Sequence, residues 1–375
     1  MSRRWLRSGA VVALMVMFGA GVYFGLGFMR HTAGGTGGPK KPEETHPQFT
    51  LPGTIVVAQS GTLYKLVGDK FTAIAKGQWT QPYVTPDHQH IIAVRREYNY
   101  SDLYELDMQG NVVRQLTDNA SGDVPSDHWS FYPRLGPDGN ELFYDYDPKY
   151  QPNLYTVNLS VYTMSLAGGQ AAGTHRWSYP ASYGGGVPIG TGGDLQPVPL
   201  PSGGYIAARY QKNDAYQMYG QLWVQDQPAA NEYVDEPGHA LTGDTTSCYA
   251  PALSPDGHEL AMVCNDVGKE NVRLLVAPFD GTSLGPAVTV YQGLCNSPTW
   301  APDGGGLLFL APAEGATGYF QLDYVSLHAP TPTPASRERR KSTAVAATPT
   351  IDPAPARRMT TENNFDATSP PAWFQ

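Results

Sequence analysis

Charged side chains are scarce in this chain: Asp, Glu, Lys and Arg together make up 16% of 375 residues, against about 25% in an ordinary globular protein. Cysteine is nearly missing, with three residues. An odd count leaves at least one thiol unpaired, and a pair can form only in an oxidising compartment. No His-Glu-x-x-His zinc pair occurs. What fills the space is 41 glycines, 33 prolines and 23 tyrosines. Gly and Pro break helices and aromatics favour strands, so a coiled coil or helical bundle is excluded.

The one long apolar run is N-terminal. Arg3, Arg4 and Arg7 precede twenty uncharged residues, Gly9 to Phe28, and Arg30 follows. Twenty residues at about 1.5 Å each span a hydrocarbon core of about 30 Å. The stretch Met29-Arg30-His31-Thr32-Ala33 is a poor cleavage site, so a retained signal-anchor is expected over a cleaved signal peptide. The arginine bias places residues 1–8 in the cytoplasm and the rest outside, as a single-pass protein of the cell membrane.

Both flanks differ from the middle. Residues 29–48 have few apolar side chains and read as a flexible tether. Residues 329–375 are rich in Pro, Thr and Ala without periodicity, and are expected to be a disordered tail. The first thirty residues hold four basic side chains, and the tail holds six basic and four acidic ones. Removing these leaves 15 basic and 30 acidic residues in the middle. So acidic a domain repels phosphate backbones, which excludes nucleic acid as a partner.

The middle repeats itself. Pro82-Tyr-Val-Thr-Pro86-Asp87, Pro133-Arg-Leu-Gly-Pro137-Asp138-Gly139, Pro197-Val-Pro-Leu-Pro201-Ser202-Gly203, Pro251-Ala-Leu-Ser-Pro255-Asp256-Gly257 and Pro298-Thr-Trp-Ala-Pro302-Asp303-Gly304 each precede a short apolar strand. Their leading prolines are 51, 64, 54 and 47 residues apart. Pro fixes the first corner of a turn, Asp accepts a local backbone bond and Gly takes the positive φ that follows. A second strand recurs downstream: Leu103–Asp107, Asn153–Val157, Gln221–Val224 and Phe320–Asp323. A closing Leu-Thr follows at Leu116-Thr117 and Leu241-Thr242. Four strands per copy leave both sheet faces bare unless the copies stack around an axis.

The string Pro-x-Trp-Ser-Pro-Asp-Gly with its apolar strand and Leu-Thr close resembles the propeller repeat of the TolB family, a relative of WD40 repeats. It also resembles the propellers of prolyl-oligopeptidase-type enzymes. The likeness is best over 251–262, 298–309 and Pro82–Thr117, and covers roughly residues 49–328. It implies an all-β protein: a β-propeller of six four-stranded blades, with a seventh left open by the long third copy. The six copies are the five above preceded by a degenerate first one, Pro52–Val57 with Leu63–Leu66. The sixth lacks a clear fourth strand after Leu327, and a segment around Phe49 to Val57 is expected to complete it and close the ring. A bacterial source fits this repeat style.

The candidate chemistry is thin. Asp87, Asp138, Asp256 and Asp303 are turn residues by position. His88 and His90 alternate as ligands on a strand would, yet no further ligand accompanies them. Asp145 and Asp147 lack the rest of a calcium loop. The glycine run 184–193 lacks the Lys-Ser/Thr end of a phosphate cradle. No metal or other cofactor is implied. A hydrolase reading needs a Gly-x-Ser-x-Gly nucleophile elbow, which this chain is expected to lack altogether, on an α/β domain, for which about 47 residues after the last blade are too few. If Pro255-Asp256-Gly257 is a hairpin tip, Cys248 and Cys264 face each other, so either they form a disulfide or all three thiols, with Cys295, are buried and free.

The expected function is a membrane-anchored extracytoplasmic propeller, a non-catalytic binding or scaffolding module for a protein, peptide or glycan. The alternative is a propeller enzyme of lyase or hydrolase type acting on an extracellular polysaccharide. Nine histidines in all are few for a catalytic ring-end pocket, which tilts the balance to binding. The extra length of the third copy, Ala171 to Leu195, carries Trp177, Tyr179 and Tyr183, candidate partner contacts on a long loop. The competing reading is that these aromatics cover an irregular blade.

Overall fold

A computed structural model describes residues 46–149, 157, 159–178, 193–213, 215, 217–230, 237–313, 319–327 and 351–375. The expected anchor at 9–28, nearly all of the tether, and Tyr179 and Tyr183 lie outside the described residues. Among those described, no helix is long and apolar enough to cross a membrane.

Strands with continuous apolar runs, such as Ile91-Ile92-Ala93-Val94, are buried on both faces, as in a stack of sheets. Blade 1 contains β1 (Thr54–Gln59), β2 (Thr62–Val67) and β3 (Lys70–Lys76). Blade 2 is β4 (Trp79–Val84), β5 (His90–Arg96), β6 (Ser101–Asp107) and β7 (Val112–Gln115). Blade 3 is β8 (Ser130–Leu135), β9 (Glu141–Tyr146), β10 (Ser160–Ser165) and β11 (Thr174–Arg176). Blade 4 is β12 (Asp194–Pro199), β13 (Tyr205–Lys212), β14 (Met218–Gln225) and β15 (His239–Ala240). Blade 5 is β16 (Thr246–Leu253), β17 (Glu259–Asp266), β18 (Arg273–Pro278) and β19 (Val288–Gln292). Blade 6 is β20 (Asn296–Trp300), β21 (Gly306–Pro312), β22 (Phe320–Ser326) and β23 (Arg357–Arg358). A last strand, β24 (Ala372–Phe374), pairs antiparallel with β1 and makes the first blade four-stranded. The expected strand Asn153–Val157 lies outside the described residues except for Val157; the strand that pairs with β9 is β10, in register Tyr162↔Tyr144.

The C-terminal segment corrects the sequence reading. Residues 351–375, expected to be disordered, supply both the outer strand of blade 6 and the inner strand of blade 1. Closure therefore comes from the far end of the chain, and Phe49–Val57 does not complete blade 6. Met359, Phe365 and Trp373 are buried in one cluster with Ile55 and Leu66 of blade 1 and Leu308 and Leu322 of blade 6. Burying such side chains stabilises the ring by about 1.5–3 kcal/mol each. The Trp373 indole also donates to the Pro52 carbonyl at 2.8 Å.

Candidate functional site: a proline-walled funnel

Each expected Pro-Asp-Gly turn forms, and its parts act as their chemistry dictates. Gly139, Gly203, Gly257 and Gly304 have positive φ, and their N–H groups donate back three residues at 2.9–3.0 Å. His88 takes that place in the first copy, at φ 56°. Asp87, Asp138, Asp256 and Asp303 each accept the N–H two residues on, at 2.9–3.1 Å. The hydroxyl of Thr85 holds the Asp87 carboxyl below the usual carboxylate range, and that of Ser254 does the same for Asp256. These aspartates shape turns.

Just before each leading proline the inner strand breaks register. Gln81, Tyr132, Gln196, Ala250 and Ser297 all have φ between 49° and 61°. A ladder irregularity falls at each, between Thr80 and Tyr83, Phe131 and Arg134, Leu195 and Val198, Tyr249 and Ala252, and Asn296 and Thr299. Such bulges turn the freed amide out of the ladder. The Gln81 N–H reaches Ser369 Oγ at 2.7 Å, the Tyr132 N–H reaches Gln81 Oε1 at 2.9 Å, and the Gln196 N–H reaches Asp145 Oδ2 at 2.9 Å. Asp145 is completely buried, and its other oxygen has no hydrogen-bond partner. Burial pushes its carboxyl well above the usual range, against the pull of the Gln196 N–H.

Beyond the bulges, the ends of all six inner strands and their turns enclose a central funnel of about 730 Å³. Twelve prolines line it, together with Tyr83, Tyr132, Trp300, Trp373 and Phe374. Among the described residues, one arginine, Arg134, and one histidine, His88, face it. The Arg134 guanidinium lies over the Tyr83 ring, 5.4 Å from its centroid. His88 lies against Phe374 at the rim, ring centroids 5.0 Å apart. His90 instead faces Glu105 at 3.6 Å, so the two histidines do not converge. Among the described residues, no three His, Cys, Asp or Glu side chains cluster as metal ligands would.

The other singled-out residues lie elsewhere. Trp177, expected to contact a partner, is buried between Phe143 and Tyr205, and its indole donates to Thr163 Oγ1 at 3.3 Å. Its N–H donates to the Val161 carbonyl at 2.9 Å, and the Ser178 hydroxyl accepts the Val161 N–H at 3.0 Å. Leu116-Thr117, Leu241-Thr242 and Met359-Thr360 make the same two bonds to Leu103, Leu222 and Leu322. Trp177-Ser178 is thus blade 3's copy of the Leu-Thr close, a core element at the end of the ring opposite the funnel. Cys248 and Cys264 are direct register partners with Cα atoms 4.2 Å apart and their sulfurs bonded, and Cys295 is a buried thiol. A Gly-x-Ser-x-Gly string does occur, Gly281-Thr282-Ser283-Leu284-Gly285, which corrects the expectation that the chain has none. It is a turn in which the Asp280 carboxylate accepts the Ser283 hydroxyl and N–H at 2.7 Å each, in place of a strand-to-helix elbow.

Arg134 and the C-terminal wall were not foreseen from the sequence. The wall had a signal: Pro371-Ala372-Trp373 repeats the Pro298-Thr299-Trp300 of blade 6, and Met359-Thr360 repeats Leu116-Thr117.

No family model matches this sequence, and no curated protein matches it. Solved structures do. TolB from Acinetobacter baumannii is 14% identical, with a TM-score of 0.55 over 89% of this chain and 68% of its own. A TolB described as putative, from Agrobacterium tumefaciens, is 20% identical, with a TM-score of 0.49 over 70% of this chain and 88% of its own. An oligogalacturonate lyase in complex with manganese is 13% identical, with a TM-score of 0.43 over 70% of this chain and 67% of its own. At these identities the likeness concerns architecture. The chain has the fold of a TolB-like β-propeller, closed from six four-stranded blades.

Proposed function

We propose that this chain is a binding propeller, held outside the cell membrane by a span at residues 9–28, which takes a protein or peptide partner into the funnel at its Pro-Asp-Gly end. The observation that carries the reading is the funnel itself: a concave, apolar, aromatic-bearing site on the axis, built from every blade. Such sites are the default binding location of a ring-shaped fold. A lyase or hydrolase acting on an extracellular polysaccharide calls for several His and Arg side chains converging at the opening. Among the described residues one of each lines it, which favours binding. Site-specific photocrosslinking separates the two ends of the ring. A benzophenone side chain at Pro201, on the funnel rim, is expected to crosslink a partner in living cells. The same group at Tyr98, 96% exposed in the β5–β6 connection at the opposite end, is expected to crosslink nothing. The reverse pattern would move the site to the other end.

A further inference from the structure

The Ser and Thr hydroxyls and the indoles of the funnel wall are engaged within the protein. The Thr85 and Ser254 hydroxyls donate to Asp87 and Asp256 at 2.6 Å. Those of Ser297 and Thr299 donate to the Ala367 and Pro371 carbonyls at 2.9 and 2.8 Å. The Trp300 and Trp373 indoles donate to backbone carbonyls at 2.8 Å. The twelve prolines have no N–H to offer.

Among the described residues, Arg134 is the one side chain of fixed positive charge in the wall. One of its guanidinium nitrogens donates to the Pro133 carbonyl at 2.8 Å, and among the described residues no carboxylate pairs with it. By contrast, Arg209 is gripped by both oxygens of Asp194 at 2.9 Å each. Burial in the wall pulls the Arg134 guanidinium below its usual proton affinity, and Tyr83, Tyr132 and Asp145 offset this only in part. An arginine stays charged nonetheless. A cation set in an apolar wall with unused donors is a site waiting for an anion, and the guanidinium fork matches a carboxylate.

We propose that the funnel captures a carboxylate-bearing extended peptide, with Arg134 binding the carboxylate and the proline and aromatic wall packing on the chain beside it. The proposal rests on the funnel being the binding site and adds what it binds. A peptide fits better than an acidic glycan because a sugar ring brings several hydroxyls that need partners, and the wall's own hydroxyls are occupied. Proline- and aromatic-lined grooves suit extended chains, whose conformation needs little further ordering.

The test is an array of N-acetylated tetrapeptides synthesised twice, with a free α-carboxylate and as the amide. A second pair of arrays exchanges internal Asp and Glu for Asn and Gln. Both are probed with the full chain in mild detergent. Binders are expected that weaken at least about tenfold when their carboxylate is neutralised. Whether the chain end or a side chain supplies it is read from which pair of arrays shows the loss. Arg134→Gln is expected to lose those binders and Arg134→Lys to retain part of the binding. The acid-against-amide contrast is measured on the unaltered protein, so it stands even if a variant folds poorly. Binders indifferent to the carboxylate, or unchanged by Arg134→Gln, would overturn the anion anchor while leaving a peptide-binding funnel. An array without binders would overturn both, as would Arg134-dependent binding of trigalacturonate in place of any peptide.

Discussion

Trp177 lies against Phe143 and Tyr205 with ring centroids 5.3 and 5.8 Å away, and only 9% of its surface is exposed. Truncating a buried tryptophan removes its transfer energy and leaves a cavity, so Trp177→Ala is expected to destabilise the fold by about 3–5 kcal/mol. Denaturant unfolding checks it: an unchanged midpoint would return Trp177 to the surface. A second prediction concerns Asp102, which is buried and accepts hydrogen bonds from the Thr117 hydroxyl and the Asn119 N–H at 2.9 Å. Burial outweighs those bonds and pushes its carboxyl up to about 6. The folded state therefore holds this proton more tightly than the unfolded chain. The contribution favours folding below about pH 4 and is lost as pH rises through 6, by about 1–2 kcal/mol after allowance for nearby solvent. Asp102→Asn removes the titration. The melting temperature of the natural protein minus that of the variant should fall between pH 4 and 7, and a flat or rising difference would show that Asp102 titrates normally.

The element that decides the ring is the C-terminal segment, and it shows where sequence reading stopped. The turns were legible because Pro, Asp and Gly each have one strong backbone preference and recur together. The closing segment was not, because the composition of 329–375 resembles an unstructured stalk. Its β23 and β24 are two and three residues long, too short for alternation to register. Their stability comes from contacts across about three hundred residues, such as the Asp366 N–H on the Ala58 carbonyl at 3.0 Å and the Thr80 hydroxyl on Asp366 at 2.7 Å. The funnel's arginine escaped notice for a related reason: a lone Arg in the second position of one repeat has no pattern, and only the closed ring turns it toward the axis. Phe365 is the element's anchor, 2% exposed, with its ring 6.1 Å from that of Phe71. Phe365→Ala is expected to cost about 3–5 kcal/mol. Limited proteolysis should then release fragments beginning with the C-terminal segment. A variant as stable and protease-resistant as the natural chain would reduce this segment to a loose strap.

At the scale of the whole molecule, a ring closed by its two ends unfolds as one unit, since removing either partner of the β1–β24 pair exposes the cluster shared by blades 1 and 6. The extracytoplasmic compartment is part of the proposal above, and two features of the chain allow it to be tested. Three arginines before the run 9–28 and one after it are the charge bias that, for a membrane span there, would place the propeller outside. The Cys248–Cys264 bond joins facing positions of β16 and β17 and would be reduced in a cytosol. Protease added to intact, wall-stripped cells is expected to digest the propeller. Protein denatured without reductant from the same cells should show one reactive thiol, that of Cys295, rising to three after reduction. Full protection from protease together with three thiols before reduction would place the ring inside. Digestion with three thiols would keep the orientation and remove the disulfide, leaving the β16–β17 hairpin held by its ladder and by the packing of Cys248 and Cys264 against Leu222 and Met262.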